Sequence, residues 1–227
     1  MHGEKETSWA PRTTGVVLHA VVLAVAGWIL LGGGITTVGA WIGADWPAGN
    51  LARRAALFAF GCILFARLGF TLFWLLKRRF DWGELVGVTF ACVAYQIGFA
   101  LLGAGETAPF GALGAVGVGL FLVGSYLNTW SEVERKRFKD DPANQGKLFT
   151  QGLFRYARHI NYFGDLVWVT GWALATGNPW AAIIPVLLAA GFVFLAIPSL
   201  SAHLREKYGS QYDQWASTTK RFVPFVY

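Results

Sequence analysis

The sequence predicts an all-α integral membrane protein with six or seven transmembrane helices and an amphipathic helix at the C-terminus. Apolar residues make up 55% of the 227 residues and charged residues only 14%, whereas a soluble domain carries about 25% charged residues. The apolar residues fall into runs of about 20, the length that crosses a bilayer core about 30 Å thick. We therefore expect one membrane domain over residues 1–227, with no soluble domain attached.

Six apolar runs define the predicted spans. The first begins at Thr14 and is interrupted by three glycines, which leaves open whether it forms one helix or two. A signal peptide is the alternative for this run, but no small-residue cleavage site follows it directly. The predicted spans cover residues 14–41, 55–76, 85–103, 110–127, 161–176 and 180–200.

The positions of the basic residues predict the orientation in the membrane. Six spans place both termini on one side of the membrane. On that side the N-terminal segment carries two lysines or arginines, the second loop three, the fourth loop seven and the C-terminal segment four. These are 16 of the 19 in the chain. Cytoplasmic segments carry such an excess. We expect both termini to be cytoplasmic, in a bacterial inner membrane or an endoplasmic-reticulum-type membrane. Topology then explains the net charge of +6, and no nucleic-acid partner is expected.

A stretch of fourteen residues, Gly152 to Asp165, concentrates polar side chains between a basic segment and an apolar one. It holds two arginines, a histidine, an asparagine, two tyrosines and an aspartate. Guanidinium groups bind phosphate oxygens through paired hydrogen bonds, so the stretch indicates a ligand with several phosphates. An anionic lipid headgroup is the alternative.

Helical spacing extends this polar cluster along the chain. In each of two sets of four residues, successive members are four, three and four positions apart, which places them on one helix face. The first set is Asn128, Glu132, Arg135 and Lys139, and the second is Asn161, Asp165, Trp168 and Trp172. A solvated basic helix is the alternative for the first set. Ionisable residues inside spans usually face a protein interior or a water-filled path. We therefore expect functional roles for Asp165 and Arg67, with a structural ion pair as the alternative for Arg67.

Residues 124–227 resemble the membrane reductases typified by steroid 5-alpha-reductase and by the sterol C14 and C7 reductases. Arg158 to Asp165 matches the RHxNYxGD pattern of the sterol reductases. Further motifs of this group are matched by Phe138–Pro142, Gly152–Tyr156, Ala173–Thr176, Lys207–Gly209 and Val223–Tyr227. Isoprenylcysteine carboxyl methyltransferases are similar in sharing an RHxxYxG segment and belong to the same superfamily.

The resemblance implies that NADPH binds within residues 128–227 and that a lipid substrate is held by the helices of residues 1–127. It implies that the cofactor is surrounded by Asn128, Glu132, Lys139, Lys147, Arg158, His159, Asn161 and Tyr208, with Lys139 and Lys147 near its phosphates. His203 is one residue away from the position of a cofactor-facing histidine. The basic cluster adds Lys136, Arg155 and Tyr156 to this set. We expect Arg67, Trp168 and Trp172 to contact the substrate.

The predicted reaction is the NADPH-dependent reduction of a carbon–carbon double bond in a steroid, sterol or isoprenoid-like lipid. Under the resemblance Asp165 lies near the nicotinamide. Asp165 and Tyr162 are the expected proton donors, with Tyr95 as a further candidate, because a desolvated carboxyl can hold a proton near neutral pH. The N-terminal half has no clear counterpart of the glutamate and tyrosine that hold the ketone in 5-alpha-reductases, which leaves the substrate open.

Two other functions remain in view. One is a membrane methyltransferase of the isoprenylcysteine type that uses S-adenosylmethionine, although such enzymes usually carry paired glutamates where this chain has Ser201 to His203. The other is a lipid-binding membrane protein without enzymatic activity. The sequence contains no GxGxxG turn, P-loop or HExxH motif, so we expect neither a soluble nucleotide-binding fold nor a catalytic metal.

Overall fold

The computed structural model describes residues 8–227, and within that range every regular element is a helix. The predicted all-α class is confirmed, while residues 1–7 of the predicted domain lie outside the described residues. The helices are α1 Trp9–Leu31, α2 Gly34–Trp41, α3 Leu51–Leu75, α4 Trp82–Gly103, α5 Gly111–Asp140, α6 Ile160–Thr176, α7 Pro179–Tyr208 and α8 Ser210–Thr218.

Within the described range, five helices are long and apolar enough to cross a membrane, namely α1, α3, α4, α5 and α7. Helix α6 has 17 residues, which gives a length of about 26 Å at about 1.5 Å per residue, shorter than a typical bilayer core. The chain is therefore an integral membrane protein, but six or seven spans are not confirmed. Residues 161–176 are helical as predicted, and their crossing of the membrane remains a prediction.

The glycine-interrupted first run forms two helices. Gly33 has a φ of 79°, in the left-handed region that glycine adopts without steric cost. This residue separates α1 from α2, because a helix cannot continue through that conformation. The sequence left this point open, and the structure decides it.

The chain divides into two compact units. Unit one comprises the described part of residues 1–119 together with residues 171–184, and unit two comprises residues 120–170 and 185–227. The single membrane domain over residues 1–227 remains a prediction.

In unit one, α1 packs against α3 and α4, and a buried arginine ties the connections together. Arg53 is 3% exposed and donates hydrogen bonds to the backbone carbonyls of Glu106, Ala108, Pro109 and Ala175, at 2.8 to 3.3 Å. A buried guanidinium is tolerated when its donors are satisfied in this way. Arg53 therefore has a structural role in unit one.

In unit two, α5 and α6 approach until their backbones touch. A Cβ atom added at Gly124 would lie 2.6 Å from the carbonyl oxygen of Gly164, and one added at Gly164 would lie 2.5 Å from the backbone nitrogen of Asn128. Glycine is the residue that permits such close helix packing in membranes. This contact brings the polar end of α5 beside the start of α6.

Amphipathic helix α8 closes the C-terminal part of unit two. Its Tyr212 and Trp215 are buried while most of its other residues are exposed, which confirms the predicted amphipathic C-terminal helix. These two side chains join an apolar cluster with Phe149, Phe154, Ala157 and Ile160. The cluster fixes the loop before α6 against the C-terminus.

Replacing Gly124 with alanine should destabilise the protein, because the new methyl group overlaps the α6 backbone. Overpacking of this kind typically costs about 1–3 kcal/mol. The measurement is the midpoint of thermal unfolding in detergent. Gly119→Ala on the same helix is the matched control, since a Cβ there would have no heavy atom within 4 Å. Equal behaviour of the two variants would contradict the packing role of Gly124.

Candidate functional site

Three predicted cofactor residues form a connected group where α5 and α6 touch. The side-chain amide of Asn128 donates to the backbone carbonyl of Asn161 at 3.2 Å, and the Asn161 amide donates to Glu132 Oε1 at 3.0 Å. The other Glu132 oxygen pairs with Arg135. Each side chain is therefore oriented by a neighbour, and the glycine contact between the helices makes these bonds possible.

Three aromatic rings are stacked at the start of α6. The ring of His159 lies parallel to that of Tyr162, with centroids 5.7 Å apart, and Tyr162 is stacked on Phe192 at 4.6 Å. His159 is 1% exposed, and its Nε2 atom lies 3.2 Å from the hydroxyl of Ser201 on α7. The predicted residues His159 and Tyr162 are therefore held rigidly together.

The buried imidazole of His159 is uncharged at neutral pH. Burial, followed by the positive charges of Arg158 and Arg221, lowers the pKa of His159 from 6.5 to about 4. Two cations beside a histidine oppose its protonation. His159 therefore serves as a neutral hydrogen-bonding group.

The side chain of Asp165 is oriented by Trp168, which lies one turn further along α6. The indole Nε1 of Trp168 donates to Asp165 Oδ1 at 2.8 Å. Trp168 is 3% exposed and meets Phe121 edge to face, with centroids 6.0 Å apart. These contacts give the half-buried carboxyl group of Asp165 a fixed orientation.

Four cationic side chains of unit two bond to tyrosine hydroxyls. These cation–tyrosine pairs are Lys139–Tyr208, Arg155–Tyr156, Arg158–Tyr212 and Arg221–Tyr227. In each pair the cation also lies 4.6 to 5.7 Å from the centroid of its tyrosine ring. Lys139 additionally donates to the backbone carbonyl of Lys147.

The cation–tyrosine pairs leave positive charge uncompensated. Ion pairs occur elsewhere among the described residues, at Arg78–Glu84, Arg135–Glu132, Lys136–Asp140 and Arg205–Asp213. Within residues 8–227, by contrast, none of the four cations bonded to tyrosine forms an ion pair with a carboxylate. A phenol hydroxyl accepts a hydrogen bond without supplying charge. Unit two therefore presents cations suited to a ligand with several negative charges.

The backbone around the RHxNYxGD stretch is fixed from two sides. Glu134 on α5 accepts a hydrogen bond from the Leu153 backbone nitrogen at 2.9 Å. The backbone nitrogens of Arg158 and His159 donate to the carbonyls of Lys220 and Arg221, at 2.8 and 3.1 Å. The C-terminal segment thus holds the stretch at the point where α6 begins.

All twelve predicted cofactor residues belong to unit two, whereas the predicted substrate residues are divided between the two units. Lys136 forms an ion pair with Asp140 at 2.6 Å, and Lys147 and His203 are exposed. Trp168 belongs to unit two, whereas Arg67 and Trp172 belong to unit one. Trp172 is 1% exposed and packs against Phe60 and Phe99, and Arg67 is half-buried on α3. The substrate roles of these three residues remain predictions.

Several contact residues were missed by the sequence analysis. Tyr212, Tyr227 and Arg221 complete the cation–tyrosine pairs, and Ser201 and Phe192 contact His159 and Tyr162. The number of tyrosines in the C-terminal segment was an available signal for the first group. Phe192 lies in an apolar run, and no pattern distinguishes it from its neighbours.

Comparison with known proteins identifies related membrane enzymes. The sequence model of a family described as "Protein of unknown function (DUF1295)" matches residues 84–219. A probable O-methyltransferase of Ustilaginoidea virens is 35% identical over 55% of this chain and 44% of its own length. A probable protein-S-isoprenylcysteine O-methyltransferase of Oryza sativa subsp. indica is 30% identical over 43% of this chain and 49% of its own length.

A reductase is similar to the same degree. The Delta(14)-sterol reductase of Schizosaccharomyces pombe is 30% identical over 48% of this chain and 29% of its own length. The chain thus spans at most about half the length of these relatives, which are named as reductases and as methyltransferases. The predicted resemblance to this superfamily is confirmed.

The depressed pKa of His159 predicts a loss of stability in acid. Between pH 6.5 and about 4 the unfolded chain binds a proton at this residue that the folded chain does not, so stability falls as the pH falls. The midpoint of thermal unfolding in detergent, measured across this range, should fall less in His159→Gln than in the parent protein. His203→Gln, which removes an exposed histidine, is the control. If the unfolding midpoint of His159→Gln falls as much in acid as that of the parent protein, the buried neutral state of His159 is contradicted.

Proposed function

The chain belongs to the DUF1295 family. From the geometry of unit two and the similarity to a sterol reductase, we propose an NADPH-dependent reductase. Its reaction is the reduction of a carbon–carbon double bond in a steroid, sterol or isoprenoid-like lipid. The cation–tyrosine pairs carry this proposal, because they supply uncompensated positive charge beside the polar group of α5 and α6.

The residues of unit two fit the chemistry of NADPH. The cofactor carries three phosphates, and arginine and lysine bind phosphate oxygens through charge-assisted hydrogen bonds. Lys139 and Lys147, which are joined through the Lys147 carbonyl, would hold the phosphates. Asn128, Glu132 and Asn161 offer fixed donors and acceptors for the sugar and amide groups.

Asp165 and Tyr162 are the proposed proton donors. When bound, NADPH supplies the hydride, and a proton is then needed at the second carbon of the double bond. Asp165 is oriented by Trp168, and Tyr162 is fixed between His159 and Phe192. Fixed orientation of the acid is what general acid catalysis requires. We further propose that unit two faces the cytoplasm, as the distribution of basic residues predicts.

A methyltransferase is the second candidate, and the printed names of two relatives favour it. S-adenosylmethionine carries a sulfonium and an ammonium group against a single carboxylate, and it has no phosphate. Four cations without carboxylate partners would repel its positive end. The charge of unit two therefore supports NADPH over S-adenosylmethionine.

Binding of three nucleotides to the detergent-purified protein tests the proposal. We expect NADPH to bind more tightly than NADH, because the additional phosphate meets additional cations, and S-adenosylmethionine to bind weakly. Isothermal titration calorimetry gives the three affinities. Preferential binding of S-adenosylmethionine would support the methyltransferase instead, and absence of binding by all three would support a lipid-binding protein without activity.

Lys147→Ala should weaken NADPH binding by about tenfold or more, the order expected when a charged hydrogen bond is lost, and should change NADH binding far less. The affinities of the variant for both nucleotides measure this selectivity. Lys77→Ala, which removes the same charge from unit one, is the matched control and should affect neither nucleotide. Equal losses for NADPH and NADH in Lys147→Ala would refute its phosphate role.

A further inference from the structure

The loop between α5 and α6 carries Lys147, one of the two lysines proposed to hold the cofactor phosphates. Its side chain is exposed, and in the described part of the chain its ammonium group forms neither a hydrogen bond nor an ion pair. The group is therefore available to an anionic ligand. Because ordering a flexible segment on binding costs entropy, the affinity for that ligand depends on how firmly the backbone at Lys147 is held.

The backbone groups of Lys147 itself have partners. Its N–H donates to the carbonyl of Asn144 at 3.1 Å, and its carbonyl accepts a hydrogen bond from Lys139 Nζ. Lys139 also donates to the hydroxyl of Tyr208 at the end of α7, at 3.1 Å. The two lysines proposed to hold phosphate are thus linked to each other and to α7.

One side chain of α8 holds the residues on both sides of Lys147. Gln211 Oε1 accepts from the backbone N–H of Leu148 at 3.0 Å, and Gln211 Nε2 lies 3.5 Å from the carbonyl oxygen of Gly146, to which it donates. Gly146 has a φ of 76°, a turn conformation that glycine adopts without strain. A single amide group therefore bonds to the loop immediately before and immediately after Lys147.

The position of Gln211 is itself fixed by the residue that follows it. Tyr212 is buried in the apolar cluster that also contains Phe149, and Leu148 packs against this cluster. The cluster thus anchors both α8 and the end of the loop. Gln211 is exposed, and an exposed hydrogen bond contributes little to the free energy of unfolding. We therefore expect its bonds to act on the loop rather than on the stability of the fold.

We propose that Gln211 is a positioning residue that determines the preference for NADPH over NADH by holding Lys147 in place. A loop that is already ordered presents the ammonium group without an ordering cost when the ligand binds. NADH lacks the additional phosphate of NADPH, so its affinity does not depend on the position of Lys147. This inference rests on the proposed function, because the anion is a phosphate of the proposed cofactor.

A double-mutant cycle tests the role of Gln211 on the detergent-purified protein. Isothermal titration calorimetry gives the affinities for NADPH and NADH of the parent, Gln211→Ala, Lys147→Ala and the double variant. Gln211→Ala should lower the ratio of the two affinities about threefold, the order expected when one exposed hydrogen bond is lost. In the Lys147→Ala background the same substitution should leave the ratio unchanged, because the residue through which Gln211 acts is absent.

Hydrogen exchange measures the loop directly and needs no ligand. The Leu148 amide loses its acceptor in Gln211→Ala and should exchange about threefold faster or more. Gln214→Ala is the matched control, because Gln214 is also an exposed glutamine of α8. This control should keep both the exchange rate of Leu148 and the affinity ratio of the parent.

The other outcomes overturn the inference. An equal fall of the ratio in both backgrounds would mean that Gln211 acts independently of Lys147. Faster exchange at Leu148 with an unchanged ratio would show a structural role alone. A parent that prefers NADPH, together with a Gln211→Ala variant that keeps this preference, refutes the inference and leaves the proposed function standing. A parent without any preference for NADPH refutes both.

Discussion

The backbone contact between α5 and α6 at Gly124 and Gly164 is the constraint on which the polar site of unit two depends. Side chains larger than hydrogen would separate the two helices and remove the bonds that join Asn128 and Glu132 to Asn161. In a bilayer, helices gain little from hydrophobic association, so close packing at small residues and hydrogen bonds holds them together. The same contact that stabilises unit two therefore also sets the geometry of its functional groups.

The pairing of its cations distinguishes the site from other charged residues of unit two. Lys136 and Arg205 have carboxylate partners, whereas the cations at the site, such as Lys139 and Arg158, are held by tyrosines. Tyrosine positions a cation through its hydroxyl and its ring face without neutralising it. The site thus keeps its cations ordered and still able to bind an anion, which is what a phosphate-bearing cofactor requires.

Buried polar groups in unit one differ in how fully their hydrogen bonds are satisfied. Arg53 has its donors distributed over four backbone carbonyls, so its burial stabilises the fold. Among residues 8–227, His19 and Gln96 bond to each other but leave one atom each without a partner. Satisfied donors offset the desolvation of Arg53, whereas each unsatisfied atom of His19 and Gln96 carries a desolvation cost.

The sequence by itself determined the helical class, the membrane location and the residues of the RHxNYxGD stretch. A bilayer requires long apolar helices, and helical spacing shows which residues share one face. Only the tertiary structure decided that Gly33 divides the first run and that Arg158 meets Tyr212. Partners such as His19 and Gln96 are 77 residues apart, and periodicity within one helix carries no information about which other helix lies opposite.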